Sequence, residues 1–140
     1  LPVNLAGLEL DEGERHGDRI FDAWYGSLQA RWDVQERVRG AVALAAPLLA
    51  VRAVSAGLAG TDLAQHHHFE AAAEGYRRAL MRRMNLAMAE RSRTADGFDV
   101  KADPALWAEM PPFAYTLPSA GWVLARHGPQ LLVLAGWLLG

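Results

Sequence analysis

The sequence predicts an all-α fold, on three observations. It is rich in Ala, Leu and Arg, residues that favour helix. β-branched residues are few, and no pair of alternating runs flanks a tight turn. Apolar residues recur at three- and four-residue spacing through two long stretches. The expected architecture is a small helical bundle of three to four main helices with one proline-rich irregular segment.

The first helix is expected over 11–44. Asp11 and Glu14 stand at capping-box spacing. Ile20, Phe21, Trp24, Leu28, Trp32, Gln35, Val38 and Val42 then keep the helical period with one polar break, and Gly40 marks an expected break in the helix. The stretch 40–60 is apolar enough to suggest a membrane span. Pro47, Arg52, Ser55 and Gly57 argue instead for a short helix led by Pro47, a favoured first helical residue. Gly60 should stop that helix. Asp62 and Gln65 form a second capping pair that opens the third.

Along the third helix Phe69, Ala73, Tyr76, Leu80, Met84 and Ala87 fall within an arc of ~80° at ~100° per residue. The expected core sets Phe69, Tyr76, Leu80 and Met84 against Trp24, Leu28 and Trp32 of the first helix. This third helix should fade between Arg91 and Asp96. Residues 94–119 hold four of the seven prolines, with Asp103 capping a short turn at Pro104. A final helix begins near Ser119, with a kink at Gly128-Pro129.

One domain and one modest core suit 140 residues. A net charge of -2, with no basic arm, gives no pull toward nucleic acid. Without cysteine there is no disulfide, thiol chemistry or Cys-bound zinc. No phosphate-binding glycine loop, nucleophile elbow or HExxH pattern is present, so neither an enzyme nor a cofactor is expected.

Two clusters carry candidate chemistry. His66, His67 and His68 are consecutive, so they point ~100° apart on a helix. His66 and His67 each reach Glu70 at helical spacing, and these three are the candidate metal ligands, with His16 or His127 as remote additions. No two of the three consecutive histidines have the i,i+3 or i,i+4 spacing. A satisfied polar helix face is the competing reading. Arg77, Arg78, Arg82 and Arg83 spread around their helix; they read as a solvated face with Glu74–Arg78 pairing, or as contacts to lipid phosphates.

The end of the chain, 131–140, offers apolar side chains on every face. It has ten residues where a span needs ~20. The expected organisation is a helical domain over 1–130 followed by the start of a truncated transmembrane helix over 131–140. Leu131, Leu132, Leu134, Trp137 and Leu138 are the candidate membrane or partner contacts.

Three segments, RWDVQERVR (31–39), APLLAVRAVSAGLAGTDLAQHHHFEAAAEGYRR (46–78) and KADPALWAEMPPFAY (101–115), together resemble the ABC-2-type transporter permeases. The likeness is to a branch related to the permeases of nitrous-oxide-reductase maturation and gliding motility. Gly60-Thr61-Asp62, His68-Phe69 and Tyr76-Arg77 carry it most specifically. The resemblance implies a non-enzymatic extracytoplasmic domain of a permease subunit in the bacterial inner (plasma) membrane. It further implies flanking spans, a dimer, a separate ATPase subunit, and a role in assembly or gating. It assigns no catalytic or ligand residue. A metal-binding module on the His66–His68 stretch is the alternative.

Overall fold

The computed structural model describes residues 5–91 and 104–140, with the side chain of Arg91 excepted. Its elements are α1 (Leu5–Ala45), α2 (Pro47–Leu58), α3 (Leu63–Arg91), α4 (Pro104–Glu109), α5 (Ala120–Arg126) and α6 (Gly128–Leu139). The fold is all-α, and no strand occurs among the described residues.

Most boundaries obey local signals. Pro47 opens α2 at its first turn, where a missing N–H costs nothing. Ser119 accepts a hydrogen bond from the Trp122 N–H at 3.2 Å and caps α5. The expected kink falls one residue earlier: His127 separates α5 from α6, and Gly128-Pro129 form the first turn of α6. Residues 111–119, bounded by prolines, are non-helical. The expected Asp103 cap and the fading of the third helix beyond Arg91 lie outside the described residues.

Two boundaries differ from expectation. The helix α1 is already formed at Leu5, so Asp11 is not a cap. It lies inside the helix, buried, and pairs with Arg15 one turn on at 2.6 Å. Nor does Gly40 break α1, which continues to Ala45.

The chain divides into two compact units. The first comprises Leu1–Tyr25 and Ala72–Ala114. Its buried apolar residues are Ala6, Ala89 and Leu106, with Asn85 beside them. Charge joins α1 to α3 here. Arg77 donates to Glu14 at 3.0 Å, to Asp18 at 2.6 Å and to Glu74 at 2.8 Å. Arg78 donates to Asp22 at 2.6 Å and to Glu74 at 2.8 Å. The Arg77 and Arg78 guanidiniums hold the Glu74 carboxyl down at about 2, and those carboxylates hold both arginines above their ordinary range. Tyr76 donates its hydroxyl to the Pro111 carbonyl at 3.0 Å and lies against Phe113.

The second unit comprises Gly26–Ala71 and Tyr115–Gly140. In it α2 packs on α6 and α5, and Ala43, Ala50 and Val123 are buried. The expected aromatic core is not formed. Phe69 is 44% exposed and Trp24 76% exposed, and Leu28 is exposed as well. Tyr76, Leu80 and Met84 are only half-buried. Within the first unit, α1 and α3 are joined by the ion pairs of Arg77 with Asp18 and Arg78 with Asp22.

Candidate functional site

The α2–α3 corner of the second unit is built from local hydrogen bonds of both helix ends. Gly60 has φ +74, the left-handed region that favours glycine. Its N–H bonds to the Gly57 carbonyl at 3.3 Å, and the Thr61 N–H to the Ala56 carbonyl at 2.9 Å. Together these close α2 in a Schellman turn. The Thr61 hydroxyl also donates to Ala56. Asp62 follows at once as the cap of α3, with Oδ1 accepting the Gln65 N–H at 2.9 Å. The Gln65 side-chain amide reaches back to the Gly57 carbonyl.

The second Asp62 oxygen, Oδ2, lies 3.3 Å from His127 Nε2. Both side chains are only 10% exposed. His127 joins α5 to α6: its N–H bonds to Val123 O, and its carbonyl accepts from Leu131 N–H. The imidazole packs closely on Gly57, where a Cβ would lie 2.7 Å from His127 Cδ2 and 3.1 Å from Val123 Cγ1. Asp62 thus ties α3 to the α5–α6 junction through one carboxylate.

Beside this pair is a cavity of about 320 Å3. Gly40, Ala43, Ala53 and Ala56 form its small-residue walls, and Arg39, Arg52, Thr61 and Gln130 add polar groups. Glu36 and Asp62 also line it, and both are engaged, Glu36 by Arg39 at 3.0 Å and Asp62 by His127. Arg52 makes no hydrogen bond or ion pair with another described residue.

The three consecutive histidines diverge. His66 Nε2 lies 3.1 Å from Glu70 Oε1, in the expected pairing. His67 turns to Trp32, with ring centroids 5.7 Å apart, and its Nε2 is buried with no hydrogen-bond partner among the described residues. His68 Nδ1 lies 3.2 Å from the Tyr115 hydroxyl, and Phe69 meets the same Tyr115 ring edge-on. Of the candidate ligands, His66 and Glu70 come together while His67 does not join them. No three metal-binding side chains converge among the described residues.

The candidate contacts of the final segment split by face. Leu131 and Leu134 are half-buried within the unit in which α6 packs on α2. Leu132 and Trp137 are exposed, and Leu138 is 88% exposed. No described helix is long and apolar enough to cross a membrane. Sequence reasoning found the Asp62 cap but missed its pairing with His127, 65 residues away. The closest signal was the Gly57/Gly60 pair, which marks close approach and a left-handed turn.

Fold and corner together define an all-helical module held by a glycine-turn and aspartate-cap junction. The chain belongs to the Domain of unknown function (DUF3526) family, whose model matches residues 1–116. No curated protein and no solved structure matches it.

Proposed function

We propose that this chain is a non-enzymatic extracytoplasmic domain of an ABC-type transporter permease subunit, contributing to assembly or gating. The resemblance to the permeases, carried by Gly60-Thr61-Asp62, His68-Phe69 and Tyr76-Arg77, is the starting point. The observation that carries the reading furthest is α6, with Leu132, Trp137, Leu138 and Leu139 presented outward from a helix lacking charge. Apolar surface of this kind needs lipid or protein to cover it. ATP hydrolysis then resides in a separate subunit.

Two measurements on the full-length gene product test this. The protein should resist carbonate extraction from inner membranes and co-purify with an ATP-hydrolysing subunit. Alkaline phosphatase fused within 94–103 should be active, as it is outside the cytoplasm. Recovery in the soluble fraction, or an inactive fusion, overturns the proposal.

Metal binding at the histidine stretch is the second reading, favoured by the His66–Glu70 approach. Zinc titration decides it: micromolar binding lost in His66→Ala supports the module, and unchanged binding rejects it.

A further inference from the structure

We infer that the cavity between the C-terminal turns of α1, the α2 helix and the start of α6 is a binding site for a small phosphate ester, held by Arg52 and Arg39. This does not rest on the transporter reading.

A volume of about 320 Å3 lies within the range of small-molecule sites. It exists because Gly40, Ala43, Ala53 and Ala56 line it where larger side chains would close it. These residues give an apolar floor for the organic part of a ligand. Its charges are unevenly engaged. The Glu36 carboxylate is neutralised by Arg39. Asp62 holds the Gln65 N–H on one oxygen and His127 on the other. Arg52 is the cation left without a partner among the described residues, at the rim of the same cavity.

A guanidinium matches phosphate and carboxylate alike. Arg39 gives one N–H to Glu36 at 3.0 Å and keeps its others; with the Arg52 fork arriving from a second helix this favours phosphate, whose three terminal oxygens can accept from both arginines, whereas a carboxylate is satisfied by one. The Gln130 side chain stands on the wall with a buried carbonyl oxygen that has no hydrogen-bond partner among the described residues. Rotation of that amide offers an acceptor to a hydroxyl on the ester, which favours a hydroxylated organic group such as glycerol.

The test uses the 140-residue chain at low salt. Isothermal titration is run with sn-glycerol 3-phosphate and with inorganic phosphate, and flotation with phosphatidylglycerol vesicles. Saturable binding of glycerol 3-phosphate is expected. It should weaken at least ~10-fold in Arg52→Gln, the loss of one charge-assisted contact, and in Ala53→Leu, which fills the floor. Arg52→Lys should recover part of it. Vesicle binding that is sensitive to Arg52→Gln, with no binding of the free ester, also supports the site and names a lipid headgroup as its source. If neither source binds, or if Arg52→Gln and Ala53→Leu bind as the parent does, the site does not exist. Should Ala53→Leu fail to fold, the exposed Arg52 pair of variants decides alone.

Discussion

Removing the Asp62 carboxylate should cost more than a helix cap. The cap itself, Oδ1 to the Gln65 N–H at 2.9 Å, is worth ~1 kcal/mol. Asp62→Ala also strips His127 of its partner at 3.3 Å, in a position only 10% exposed. Leaving a buried polar group unpaired costs ~1–3 kcal/mol. The expected destabilisation is therefore ~2–4 kcal/mol. Urea unfolding followed by helical circular dichroism measures it. Asp62→Ser keeps a capping oxygen and loses the histidine contact, so it should fall between parent and Asp62→Ala. A cycle of Asp62→Ala, His127→Ala and the double variant isolates the pair, with an expected coupling of ~1 kcal/mol. A single-variant loss below ~0.5 kcal/mol, or a coupling near zero, would refute the junction described for these two residues.

Other expectations follow from the same geometry. Gly60→Ala, at φ +74, should destabilise by ~1–2 kcal/mol in the same urea assay, and an unchanged midpoint would contradict the left-handed turn. Glu74 sits at about 2 in the folded chain against 4.5 ordinarily, so its contribution is present above pH ~4.5 and is lost as pH falls through about 2. Solvent screening limits that contribution to ~1 kcal/mol. Glu74→Gln should flatten the acid limb of the stability profile, and an unaltered limb would detach it from Glu74. Replacing the exposed Leu132, Trp137 and Leu138 by serine should reduce self-association in light scattering while helicity is kept; association as strong as the parent's would exclude α6 pairing. Deleting 131–140 should additionally loosen the fold, because Leu131 and Leu134 are half-buried.

Apart from the start of α1 and the expected break at Gly40, helix starts and stops were legible because their causes are local. Pro47, Gly60, Asp62 and Ser119 each act within four residues of themselves. Burial was not legible. The Phe69–Met84 stripe has the right period, but a period does not say what faces it. Glu14, Asp18 and Asp22 recur every four residues along α1, and this acidic row engages Arg77 and Arg78. That row is readable in the sequence as three carboxylates on one helix face. The His127 contact was beyond reach, since nothing near 127 in the chain announces Asp62.

The corner between α2 and α3 has no slack. Ala59, Gly60, Thr61 and Asp62 are all committed to closing one helix or opening the next. The rotational phase of α3 about its own axis is therefore set by α2. One inserted residue would turn the start of α3 by ~100° relative to that reference. His66 would move toward the place His67 holds against Trp32, and His67 toward that of His68 beside Tyr115. Three identical side chains in a row face three ways because of the helical period, and which neighbour each of them meets is a property of the four-residue turn before them.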